Sequence, residues 1–126
     1  MRIRLDLEHR TITVRTLAQP HTLEGWVSGP FAIHPEVCTG EGCTVSHLKS
    51  GHSVLPEGIT VDFTQGCELI QSLLDAGLDW DFADPDEMPE HTGRGAAIVL
   101  GQFLRRHQLA IQSVRPKPLL RPGMTK

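Results

Sequence analysis

Tyrosine is missing from this chain of 126 residues, and four Phe and two Trp are its only aromatic side chains apart from the histidine imidazoles. A core must therefore be built mainly from aliphatic side chains. Cysteine is scarce: Cys38, Cys43 and Cys67 make an odd count, which a fully paired disulfide framework does not allow. They read as reduced thiols. Long apolar runs are absent, and nothing approaches the ~20 residues that cross a bilayer. The opening MRIRLDLEHR has no apolar h-region of the signal-peptide kind. The expectation is a cytoplasmic protein with no membrane contact.

Acid is absent after Glu90. All 15 Asp and Glu lie at or before that residue, with five of the 12 Lys and Arg, and the other seven bases follow it. The two parts carry −10 and +7, which the net charge of −3 conceals. Such asymmetry points to a charged partner or to two parts that complement each other.

The length and the 39% apolar content suit one domain, expected over residues 1–114, followed by a Pro-rich basic tail at 115–126, mobile unless Leu119 and Leu120 dock. Residues 2–8 and 11–17 alternate apolar and polar, which predicts two strands joined by a turn at His9-Arg10. Residues 18–30, punctuated by Pro20, Gly25, Gly29 and Pro30, read as a loop or an irregular edge, with Trp26 and Val27 packing inward from it. A short strand follows at 31–33. Residues 43–48 and 52–55 flank Lys49-Ser50-Gly51, a hairpin loop that asks for positive φ at Gly51. A further strand is possible over 59–63. Leu69, Ile70, Leu73 and Leu74 give the apolar stripe of a helix over 65–76, with Thr64 as cap and Gly77 as its C′ residue. A second helix is expected over about 94–107, capped by Thr92. The fold class that results is α+β: an antiparallel sheet of four to five strands from the N-terminal half, with two helices from the C-terminal half packed on one face.

The stretch Leu78–Glu90, LDWDFADPDEMPE, is the foremost candidate site. Asp79, Asp81, Asp84, Asp86, Glu87 and Glu90 are interleaved with Trp80, Phe82 and two prolines. It does not fit an EF-hand loop, because Ala83 and Asp84 fall where an oxygen ligand and a glycine are needed. Exposed acids with aromatics between them suit the basic surface of a protein or nucleoprotein complex, with Trp80 as a candidate anchor. The plainer alternative is a solvated loop pinned by Trp80 and Phe82.

A second cluster, Cys38, Cys43, His47 and His52 with His34 near, has admissible zinc-ligand chemistry, although no second Cys pair accompanies it. Zinc is therefore the one cofactor to consider. Cys67 near a helix N-terminus would have a lowered thiol pKa and could serve Cys-His catalysis. Thr92-Gly93-Arg94-Gly95-Ala96 at a helix start could hold an anion. Arg94, Arg105, Arg106, Arg115, Lys117 and Arg121 could follow a phosphate backbone, but no aromatic residues interleave them for base stacking, so direct nucleic-acid binding is not the expectation.

The run CTVSHLKSGHSV, preceded by FAIHPEV and followed by DWDFADPDEMPE, resembles a pattern of small accessory proteins of bacterial phages and plasmids. Their hairpin reads aromatic-x-Val-Thr-His-x-x-Thr-Gly. Here Cys43 replaces the aromatic, Ser46 the first Thr and Ser50 the second. The resemblance spans residues 31–90. It implies a mobile-element origin, and proteins of that origin, size and acidity often inhibit host defence, anti-CRISPR proteins included. The functional expectation is a non-catalytic inhibitor or modulator of a basic, nucleic-acid-handling defence complex. A zinc- or thiol-dependent protein using the Cys/His cluster is the alternative, and a nucleic-acid binder using the basic C-terminal region the lesser one.

Overall fold

The structure, a computed structural model, describes residues 5–16, 19–37 and 40–109. Four strands, β1 (Glu8–Arg15), β2 (Pro20–Ser28), β3 (Phe31–Pro35) and β4 (Cys43–His47), form an antiparallel sheet in sequence order. Two helices follow, α1 (Phe63–Asp75) and α2 (Glu90–Arg106), so the class is α+β.

The first hairpin differs from expectation. His9 and Arg10 are not a turn but lie inside β1, and its partner is β2, a regular strand where a loop or an irregular edge is expected. Of the expected 2–8 strand, residues 5–7 have no regular structure, Glu8 opens β1, and residues 2–4 lie outside the described residues. The apparent breaks in β2 have specific reasons. Pro20 is the first residue of its strand, where a missing N–H is tolerated. Gly25 is a close approach: a Cβ there would sit 2.7 Å from Ile12 Cδ1 and 3.2 Å from the Ile33 carbonyl oxygen. Gly29 and Pro30 form the two-residue turn between β2 and β3.

The expected 43–48/52–55 hairpin is half formed. β4 is a strand and Gly51 has φ of 78°, but the return leg makes only an isolated bridge, Ser46 with Ser53. Residues 59–63 likewise supply one bridge, Val61 with Cys43, and Phe63 already belongs to α1.

Cross-strand partners share a face. Ile33 and Val45 face the helices. With Phe31 they bury against Leu55, Ile59 and Val61, against Leu69, Ile70 and Leu73 of α1, and against Phe103 and Leu104 of α2. The opposite face carries a second cluster, Ile12, Val14, Val27 and Ala32, with Leu23, Val37 and Leu48 at its margin. No helix covers it. Instead the sheet curls, and the Arg15 N–H donates to the Gly51 carbonyl at 2.7 Å, joining the end of β1 to the turn after β4.

The cap of α1 is Asp62 rather than Thr64. Its carboxylate accepts from the Gln65 N–H at 2.7 Å, and the Gln65 side chain accepts from the Asp62 N–H at 3.0 Å. The sequence carries this signal as Asp-x-x-Gln, a capping box. Gly77, at φ of 67°, ends the helix as expected. α2 starts at Glu90, four residues early. Thr92 is therefore not its cap but fully buried within it. The two helices are tied at one end by Glu68 of α1, which accepts from Arg106 and, at 2.9 Å, from His107 Nε2.

Candidate interaction site

Phe31 ends on the helix side of β3, and His47 stands opposite it on β4. Trp80 and Phe82 fold down onto this pair. The Trp80 ring lies edge-on to Phe31 with centroids 4.8 Å apart, and Phe82 packs on His47 at 4.7 Å. Half of the chain's Phe and Trp residues are thus gathered in one cluster.

His47 fixes the loop by hydrogen bonds as well. A carbonyl can only accept, so the 2.8 Å contact to the Trp80 carbonyl requires a proton on Nε2. Nδ1 then accepts from the Ser50 hydroxyl at 2.9 Å, and Ser50 Oγ in turn accepts from the His52 N–H at 3.2 Å. Burial is the main cause that pushes the His47 pKa down, with Lys49 and His52 adding to it, so the neutral tautomer is favoured. His34 is held the same way: Nδ1–H donates to the Pro35 carbonyl and Nε2 accepts from Ser46 Oγ, both at 2.8 Å, and burial lowers its pKa too.

A second tether comes from α2, where the Thr92 hydroxyl donates to the Asp79 carbonyl at 2.9 Å. Within the loop, Asp79 accepts from the Asp81 N–H and Asp84 from the Asp86 N–H, each at 2.9 Å. The second of these caps a 3₁₀ turn, Pro85–Glu87. Aspartate at such positions shapes the backbone through its own side chain.

The result is a loop with its aromatic residues turned in and its carboxylates turned out. Asp79, Asp81, Asp84, Asp86, Glu87 and Glu90 are all exposed, as is Met88. Asp81 pairs with Lys49, whose hydrogen bond and charge hold its carboxyl below the usual range, and Glu90 pairs with Arg94 at 2.7 Å. Trp80, the expected anchor, is only half-exposed, and its indole N–H is buried without a hydrogen-bond partner among the described residues.

The other candidates fare differently. Cys38 lies outside the described residues. Cys43 and His47 stand four residues apart on β4, which separates their Cα atoms by about 13 Å. Both His47 nitrogens are engaged, and His52 is exposed. Among the described residues no three His, Cys, Asp or Glu side chains gather as a metal ion would need. Cys67 sits in the second turn of α1 facing the core, and burial raises its thiol pKa instead of lowering it. Burial and the nearby charge of Asp62 raise Cys43 as well. Gly93, Arg94 and Gly95 are not a loop before a helix but part of α2, with Leu78 packed against bare Gly95. Of the six basic candidates, Arg94 and Arg106 are spent on Glu90 and Glu68, Arg105 is exposed, and Arg115, Lys117 and Arg121 lie outside the described residues.

Sequence reasoning missed a groove at the root of the acidic loop. It holds about 640 Å³ between the Gly29-Pro30 turn, the Leu48-Lys49 turn, Leu73, Leu74 and Leu78 at the end of α1, and residues Asp79–Asp81. No helix among the described residues is long and apolar enough to cross a membrane. Compared with protein-family models, with curated proteins and with solved structures, the chain has no match. What fold and site define is an α+β protein that displays a tethered acidic loop.

Proposed function

We propose that this is a non-catalytic interaction protein that docks residues 79–90 on a basic surface of a protein or nucleoprotein complex and so inhibits or modulates it. The observation that carries the reading is the division of labour within one loop. Trp80 and Phe82 turn inward to the ring cluster over His47, Phe82 buried and Trp80 half-buried, while six carboxylates on the same thirteen residues stay in solvent. A loop tethered this way loses little conformational freedom on binding, and a preformed acidic surface gains in association rate and partner choice. The likeness to phage and plasmid accessory proteins suggests that the partner is a nucleic-acid-handling defence complex.

The test is affinity capture from a bacterial lysate at about 50 mM and about 500 mM salt, since screening weakens contacts between exposed charges. The reading predicts a basic, nucleic-acid-handling partner held at low salt and lost at high salt. Capture that is insensitive to salt, or no specific partner at either, contradicts it.

A further inference from the structure

The geometry points to the groove at the root of the acidic loop as a docking site for an extended partner segment in which bulky apolar side chains are flanked by lysine or arginine. The inference rests on the interaction reading above and gives the partner its chemistry. Three observations meet here. The floor is apolar: Pro30, Leu48, Leu73, Leu74 and Leu78 come from three separate parts of the chain. The rim is acidic: Asp79 and Asp81 line the same groove, and its cation, Lys49, is already paired with Asp81. Asp84, Asp86 and Glu87 follow Asp81 within six residues along the same loop, all exposed.

An acidic surface alone would accept any basic patch. An apolar slot beside it selects, because only a segment that places apolar side chains between its charges can satisfy both. The volume lies within the roughly 300–1,000 Å³ of clefts that hold ligands. Groove and rim also share their support. Trp80 lines the groove, and its carbonyl is held by His47, so the slot keeps its shape as long as the loop stays tethered. Residues 110–126 of this chain contain Leu119 and Leu120 among Arg115, Lys117 and Arg121 and so offer similar chemistry, and the test separates that occupant from an external one.

The experiment titrates the full chain with the hexapeptide KRLLRK and with KRSSRK, reading backbone amide shifts by NMR and affinity from the same curves. The expected result is saturable shifts at Gly29, Leu48, Lys49, Leu74 and Leu78, with the serine peptide at least about tenfold weaker, since burying each leucine is worth more than the ~1.4 kcal/mol that factor represents. Leu74→Glu should remove the preference for leucine. Leu74 is half-buried, so a second variant guards against misfolding: Lys49→Glu leaves the floor intact, makes the rim more acidic, and should tighten KRLLRK several-fold. Equal affinity for both peptides, with shifts confined to residues 84–90, overturns the groove proposal while leaving the acidic-surface reading in place. No shifts with either peptide overturns both. Binding by an L119S/L120S chain but not by the wild type assigns the groove to the chain's own residues and overturns the external partner.

Discussion

His47 carries more of the site than any other single residue. It donates to the acidic loop through Nε2, accepts from Ser50 through Nδ1, and packs against the rings of both Trp80 and Phe82. Every one of these contacts suits the neutral ring. His34 is likewise buried, with both nitrogens engaged. The sign of the pH effect follows. Both folded-state pKa values lie below the unfolded value of about 6.5, so the native protein refuses protons that the unfolded chain accepts. Their stabilisation is fully present above that value and falls as the pH drops through the lowered folded values. Each histidine sets a limiting slope of about 1.4 kcal/mol per pH unit. Urea unfolding at pH 7.5 and pH 5.5 should show a loss of about 1–2 kcal/mol, before the carboxylates take part. Glu68 acts in a lower window. Burial alone would raise its pKa, but His107 and Arg106 outweigh burial and lower it, so its contribution disappears only as the pH falls below the ordinary carboxylate range. A stability flat from pH 7.5 to 5.5 would contradict the assignment of the two histidines.

At the scale of elements, each tether has its own test. Thr92→Val keeps the shape of the side chain and removes the hydroxyl that holds the Asp79 carbonyl. The expected cost is about 1 kcal/mol, with faster amide hydrogen exchange at residues 79–82. Asp62→Ala breaks both halves of the capping box and should cost about 1 kcal/mol in urea unfolding without altering exchange in the acidic loop. The same elements show what was readable beforehand. The apolar stripe of α1, Gly77 at its end, the strand at β4 and positive φ at Gly51 were all visible, because each depends on residues close in sequence. β2 was not. Its Pro20 and Gly25 look like breaks until β1 is laid beside them, and then Gly25 is seen to make room for Ile12. The early start of α2 was hidden for a related reason: Thr92 resembles a cap in sequence and is instead a buried donor to a loop thirteen residues earlier.

At the scale of the whole molecule, the sheet buries one face under the helices and closes the other on itself, and the acidic loop is left at the edge with its carboxylates outward. The exposure of those acids was legible, since charge runs face solvent. The groove beside them was not, because its walls come from residues 29–30, 48–49 and 73–81, and their meeting depends on how α1 sits on the sheet. The lopsided charge now has a partial account as well. Arg94 and Arg106 neutralise acids within the fold, while Asp84, Asp86 and Glu87 remain exposed and available to a partner.

The most direct measurement compares the wild type with the double variant D81K/D84K, capturing partners from one lysate at low salt and recording urea unfolding of both proteins in parallel. Asp81 and Asp84 are exposed, and what the substitutions remove is a surface ion pair and the cap of a short 3₁₀ turn. Unfolding should therefore shift only slightly, because an exposed ion pair adds little and the turn is short. The account predicts that the partner held by the wild type falls about tenfold or more with the variant, while the variant stays folded. Undiminished capture by a folded D81K/D84K protein would contradict it.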